Sequence, residues 1–152
     1  MQYTFFKFLN KVIKSQSGMS LIEILIALTL LGLTATFIAG KVFDSLNEGS
    51  VSAAKIQIKK LGERLMDFRR HCNIYPTTDQ GLQALIEKPT GGKECPRYQP
   101  GGYLSDGKIP KDPWDNEYVY ESDGRTYEII SYGADGVEGG EGFDADLSSK
   151  DI

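Results

Sequence analysis

The sequence predicts an α+β protein, one long N-terminal helix packed on a small antiparallel β-sheet. Three observations predict it. Residues 19–40 are apolar apart from Glu23, and no charge occurs between Ile24 and Gly40. Residues 54–72 then become amphipathic with a helical period, and no proline falls between Met19 and Tyr75. Farther on, two β-rich runs at 117–121 and 125–131 flank Ser122-Asp123-Gly124, a hairpin-turn signal.

The first element is the apolar helix. At 1.5 Å per residue, residues 19–40 span about 33 Å, enough to cross a hydrocarbon core. Lys7, Lys11 and Lys14 precede it and no acidic residue does before Glu23, so the N-terminus is expected to stay cytoplasmic with the remainder exported. Glu23 is the anomaly. A carboxylate in an apolar span costs about 2.5 kcal/mol or more unless paired, which marks it as a functional residue. A secretory signal peptide and a plain signal anchor are the alternatives. The first lacks a small-x-small cleavage site just after the run, and the second does not account for Glu23.

The second half of the helix is read from its period. Ala54, Ile58, Leu61, Leu65, Phe68 and Cys72 recur at alternating spacings of four and three, on one face. Lys55, Lys59, Lys60, Glu63, Arg64, Asp67 and Arg70 fall largely on the other. Gly40, and Gly49 with Ser50, are its weak points. Tyr75-Pro76 closes it, because a residue before proline avoids the helical region. Thr77-Thr78-Asp79-Gln80 reads as a capping box opening a short helix with Leu82, Leu85 and Ile86 inward and Pro89 as its stop. Residues 90–102, rich in Gly and Pro, form a loop. Cys95 lies in it and is placed to bond Cys72, closing a loop worth about 3 kcal/mol. An exported chain favours that disulfide, and two buried free thiols are the alternative. Residues 109–116 form a turn-rich entry to the strands, with Trp114 as a core or turn anchor.

The last stretch, Gly133 to Asp146, carries five acidic residues (Asp135, Glu138, Glu141, Asp144, Asp146) and five glycines. Hard cations such as calcium want several carboxylate and carbonyl oxygens at flexible distances, and glycines let the backbone turn inward. The spacing is not that of an EF-hand, and a single near-match to a calcium β-roll repeat has no tandem copy. A solvated acidic loop is the alternative.

Composition narrows the function. In a chain of 152 residues, 25% charged and 40% hydrophobic content is that of one folded domain plus an anchor. Loss of the three lysines before Met19 takes the formal net charge from −4 to −7. An acidic chain without a basic stripe excludes nucleic acid as the natural partner. His71 is the only histidine, and no P-loop, nucleophile elbow or paired-cysteine metal motif occurs, so the chain is not read as an enzyme.

Gly18, then Met19, with Glu23 at the mouth of an apolar helix, resembles the processing site of type IV prepilins and pseudopilins. Four further motifs occur in order: Tyr75-Pro76-Thr77-Thr78-Asp79-Gln80-Gly81-Leu82, Pro100-Gly101-Gly102-Tyr103-Leu104, Pro110-Lys111-Asp112-Pro113-Trp114 and Ser131-Tyr132-Gly133-Ala134-Asp135-Gly136. Together they resemble the major pseudopilins of type II secretion systems, from about residue 18 to 146. The resemblance implies a leader at 1–18, a membrane and fibre-core helix at 19–40 and a periplasmic domain at 41–152. It implies cleavage after Gly18 by a prepilin peptidase and N-methylation of Met19. Glu23 would pair with the Met19 amine of a neighbouring copy. Asp135, Asp144 and Asp146 would bind calcium by their side chains, and Tyr132 and Val137 by main-chain oxygens. The subunit would sit in the bacterial inner membrane before assembly, then polymerise with itself into a periplasmic pseudopilus that drives export of folded proteins. Minor pseudopilins and the inner-membrane assembly platform would be its other partners. A surface-fibre type IV pilin and a free periplasmic calcium-binding module are the rival functions. The chain departs from the family in Met19 for the usual Phe, Gly40 for the usual Pro, and the presence of Cys72 and Cys95.

The mature protein is expected to begin at Met19 with one added methyl group, about 14 Da. Intact-mass spectrometry checks this, and an N-terminus beyond Gly40 would remove the prepilin reading.

Overall fold

A computed structural model describes residues 20–152, with backbone alone for 36–40. Gly18, Met19 and the leader therefore lie outside the described residues. The chain divides into two compact units, Met1–Phe43 and Asp44–Ile152.

Helix α1 runs over Leu21–Cys72 without a break, as the absence of proline predicts. Over residues 21–35 its apolar side chains point outward on every side. Leu21 is 81% exposed, Leu31 66% and even Ile24 44%. The hydroxyls of Thr29 and Thr34 donate back to the carbonyls of Ile26 and Leu31, at 2.8 and 2.9 Å. They thus place no unpaired polar group on this apolar surface. Among the described residues no helix is long and apolar enough to cross a membrane. The expected span, 19–40, reaches outside those residues at Met19 and at the side chains of 36–40.

In the second unit the predicted face is the buried one: Ala54, Ile58, Leu61, Leu65, Phe68 and Cys72 are 0–3% exposed. Each large side chain so buried contributes about 1.5–3 kcal/mol. All of these but Ala54 pack with Leu82, Leu85, Tyr103, Tyr118, Tyr120 and Ile129 into one core. Gly62 is on this face because Tyr127 lies across it, with the hydroxyl only 2.7 Å from where a Cβ would stand.

Past α1 the chain turns at Asn73, at φ 61°, and runs beside the hairpin, where Tyr75 N donates to Gly124 O at 2.9 Å. The expected capping box is half formed. Gln80 Oε1 accepts from Thr77 N at 3.0 Å, but Thr77 caps no helix through its side chain. The next element is a 3₁₀ turn, Leu82–Leu85, entered through Gly81 at φ 58°. A left-handed residue there breaks helical continuity, which corrects the short helix expected from the box. The loop after it is held in three ways. Tyr103 N donates to Leu85 O at 2.7 Å, Tyr98 Oη donates to Ala84 O at 3.1 Å, and Cys95 is disulfide-bonded to Cys72 across 23 residues. The bridge expected from sequence is thus present, and both cysteines belong to the core.

The sheet has three antiparallel strands in the order β1-β2-β3, with β1 at Val119–Ser122, β2 at Tyr127–Ser131 and β3 at Leu147–Ser148. Tyr120 faces Ile129 across β1 and β2, and Ser131 faces Leu147 across β2 and β3. In the hairpin turn Asp123 Oδ1 accepts from the amides of Arg125 and Thr126, both at 2.8 Å. These amides hold its carboxyl below the usual aspartate range. Tyr118, the residue before β1, is also joined to α1 by its hydroxyl, which donates to Gln57 Oε1 at 2.7 Å.

Burial raises the tyrosines of this core above the ordinary value of 10.0: Tyr98 and Tyr120 to about 12, with Tyr103, Tyr118 and Tyr127 in the same direction. A raised folded-state pKa contributes stability that is present below the unfolded value and lost as pH rises through the folded one. Resistance to urea is therefore expected to fall between about pH 10 and 12. A series of urea midpoints from pH 8 to 11.5 checks this, and a flat series would mean these phenols are not buried in solution.

Candidate functional site

Two regions carry the residues singled out in the sequence. At the start of α1, Glu23 is the only acidic residue in the first turn, and its Oε2 accepts from Ser20 N at 3.0 Å. That amide is one of the donors a helix N-terminus leaves free, so in the single chain the carboxylate is held against its own helix start. Met19, whose amine it was expected to meet, lies just outside the described residues.

The second region is the acidic stretch, which forms the connection between β2 and β3. Because Ser131 pairs with Leu147, the two ends of residues 132–146 are clamped side by side and the chain between them must double back. Ala134 N donates to Phe143 O at 3.2 Å, and Asp144 N to Glu141 O at 3.3 Å within the 3₁₀ turn Gly142–Asp144. The glycines are needed where the backbone closes on itself. A Cβ at Gly140 would stand 2.4 Å from Asp144 O, and one at Gly133 2.9 Å from the same atom.

The five residues predicted to hold calcium are placed unequally. Asp135 is exposed, and its Oδ1 accepts from Val137 N at 3.0 Å. Asp144 is exposed. Asp146 is partly buried, and its Oδ2 accepts from Gly139 N at 3.0 Å. Its Oδ1 is fully buried with no hydrogen-bond partner. Tyr132 is partly buried, and Val137 is 62% exposed. Among the described residues no three His, Cys, Asp or Glu side chains are drawn together into a metal-holding group. The loop therefore supplies hard oxygen donors on a tight backbone without gathering Asp135, Asp144 and Asp146. The orphaned Asp146 oxygen is the observation that fits a cation, since a buried carboxylate oxygen without a partner is costly.

A polar knot beneath this loop was not legible as a site. Asp112, only 5% exposed, accepts from Trp114 N and Asn116 N on Oδ1, at 3.0 and 2.8 Å. Its Oδ2 accepts from Ser131 Oγ at 2.7 Å. Asn116 in turn donates from Nδ2 to Gly133 O at 3.1 Å. An aspartate followed by proline signals a local turn, but nothing in the sequence announces partners at Ser131 and Gly133. Trp114 is partly buried and anchors this turn. His71 is partly buried against Tyr103, with Nδ1 3.1 Å from the hydroxyl.

Residues 41–150 match the family described as "Type II secretion system (T2SS), protein G", and residues 13–39 match the prokaryotic N-terminal methylation motif. The chain is 38% identical to the type II secretion system core protein G of Vibrio cholerae, over 93% of this chain and 97% of that one. It is also 38% identical to the core protein G of Pseudomonas aeruginosa, over 91% and 97%. In structure it is similar to the major pseudopilin of the type 2 secretion system of enterohaemorrhagic Escherichia coli. That likeness has a TM-score of 0.61 and 30% identity, and covers 71% of this chain and 92% of that one.

Proposed function

The chain belongs to the protein G family of type II secretion systems, and from that premise we propose how its two units serve a fibre. It is a structural subunit of the type II secretion pseudopilus and not an enzyme. It assembles with copies of itself and works with other components of that system. The observation that carries the rest is the apolar start of α1, with Leu21, Leu28, Leu31 and Leu33 each 60% exposed or more. A surface so apolar on every side requires a cover, either lipid or other helices of the same kind.

Lipid covers it first. The precursor sits in the bacterial inner membrane through residues 19–40, with the Asp44–Ile152 unit in the periplasm, and a prepilin peptidase removes residues 1–18 so that Met19 becomes the methylated N-terminus. Helices of neighbouring subunits cover it second, in the periplasmic pseudopilus. Minor pseudopilins and the inner-membrane assembly platform are the partners that start and drive this exchange. Glu23 makes it selective. Its carboxylate, held by Ser20 N in the single chain, turns to the Met19 amine of a neighbour, so that two charges costly in an apolar setting are buried as a pair. Glu23→Ala is expected to leave a processed, membrane-held subunit that does not enter fibres. Shearing and cross-linking of fibres, with assay of the secreted proteins, checks it, and wild-type secretion by the variant would remove this role.

The loop at 132–146 serves as a calcium-dependent clasp on the sheet, with Asp135, Asp144 and Asp146 as side-chain donors and Tyr132 and Val137 as carbonyl donors. Binding to the native state alone stabilises by RT ln(1 + [L]/Kd), about 2.7 kcal/mol at a hundredfold excess over Kd. Calcium is expected to raise the melting temperature of the full chain in detergent, with magnesium a poor substitute because it demands tighter octahedral geometry. Identical melting curves with calcium and with a chelator would return the loop to a solvated acidic turn.

A further inference from the structure

Asn116 stands between a satisfied, buried knot and a loop that is not yet satisfied. On one side, its amide donates to the Asp112 carboxylate at 2.8 Å, and its carbonyl accepts from Asp112 N at 2.9 Å. The same carboxylate holds Ser131, the fully buried last residue of β2. Asn116 is thus fixed at both backbone atoms to a group anchored in the sheet. On the other side, its side chain reaches the opening turn of the acidic loop at two points. Nδ2 donates to Gly133 O at 3.1 Å. The amide group also lies flat against Gly136, leaving only 3.0 Å between Oδ1 and the place a Cβ would occupy. Gly133 and Gly136 both have left-handed φ, 66° and 67°, and the turn between them is also held by Ala134 N on Phe143 O at 3.2 Å and by Val137 N on Asp135 Oδ1 at 3.0 Å.

We propose that Asn116 is a positioning residue of the calcium loop, fixing the 133–136 turn so that the carbonyls of Tyr132 and Val137 and the carboxylate of Asp135 face the cation before it arrives. This rests on the calcium reading of the loop. The physical ground is that a partner oriented by one firm hydrogen bond aims the ligands next to it, and loss of such outer partners weakens metal affinity about 10–100-fold. The Asp112 knot provides the firmness. Its carboxylate has three donors at 2.7–3.0 Å, two of them backbone amides of its own turn, so it leaves Asn116 no alternative backbone position. The neutral amide suits the place. It supplies a donor to a carbonyl without adding a charge that would compete for the cation.

The test uses the full mature chain in detergent micelles, with calcium chloride as the probe. Calcium affinity is measured by calorimetric titration, and amide hydrogen exchange over residues 133–137 is measured without calcium. Asn116→Ala and the volume-conserving Asn116→Leu are compared with wild type. Tyr120→Phe is the control, since it removes a buried bond to Pro76 O, at 2.8 Å, far from the loop in sequence. The expected result is calcium affinity weakened about 10–100-fold in both Asn116 variants, with faster exchange at 133–137 already without calcium. Tyr120→Phe should lower the melting temperature while leaving affinity unchanged. Wild-type affinity in a folded Asn116 variant overturns the proposal, as does unchanged exchange at 133–137, whether or not calcium is present. A wild-type chain that takes up no calcium removes the clasp itself, a failure distinct from a wild type that binds while its Asn116 variants bind equally well.

Discussion

Everything else in the Asp44–Ile152 unit depends on one apolar helix face being covered. Ala54, Ile58, Leu61, Leu65, Phe68 and Cys72 line up along α1, and a lone helix with such a stripe gains little by forming. The hairpin covers one part of the stripe through Tyr118, Tyr120 and Ile129, and the 82–103 segment covers another through Leu82, Leu85 and Tyr103. Neither cover is large. The hairpin has a four-residue and a five-residue strand, and two short strands are not stable alone. Each therefore needs the helix as much as the helix needs it. The disulfide at the end of the stripe fits this economy, because it holds an irregular segment that has few backbone bonds of its own.

The helix was legible from sequence because its signal is periodic and repeated. A residue every three or four positions, over five intervals, leaves one face that can be buried, and charges on the other exclude a second. The hairpin was legible from Ser122-Asp123-Gly124, though its strands begin two residues later than the β-rich runs do. The missed elements are short or have distant partners. Strand β3, Leu147–Ser148, has no period to show, and it is placed by partners about twenty residues away. Ser149 N donates to Ile129 O at 2.9 Å, and Lys150 pairs with Glu128. The 3₁₀ turn at Leu82–Leu85 was read as a longer helix because its apolar spacing suits either. Only the φ of Gly81 decides, and a glycine can adopt both signs.

The candidate sites divide along the same line. Glu23 was legible because a charge in an apolar run is an expensive exception, and its hydrogen bond to Ser20 N shows the helix start already answering it. The acidic loop was legible as composition but not as geometry. From sequence, Asp135, Asp144 and Asp146 are three equal carboxylates. In the structure one of them has a buried, partnerless oxygen and the other two are exposed. That inequality comes from β3, which pulls the chain inward right after Asp146. The missed strand and the missed detail of the loop are one omission.

The same clamp bears on how an acidic subunit can pack against its copies. Residues 19–152 carry a formal −7, the −4 of the chain less Lys7, Lys11 and Lys14, and subunits in a fibre sit closer than the roughly 8 Å over which physiological salt screens charge. Repulsion between copies is smallest if the negative groups are confined to one place and neutralised there. Five of the chain's acidic residues fall between Asp135 and Asp146, on a loop that the Ser131–Leu147 pair closes and the Asp112–Asn116 knot supports from below. By contrast, the exposed side of α1 carries the opposite sign, with six Lys or Arg and two acidic residues over 54–72, where Asp67 pairs with both Arg64 and Arg70. A divalent cation in the loop would cancel two of these charges. The fold thus separates its two electrostatic problems. The helix start carries a single carboxylate held against its own Ser20 amide, and the loop that closes the sheet carries five acidic residues.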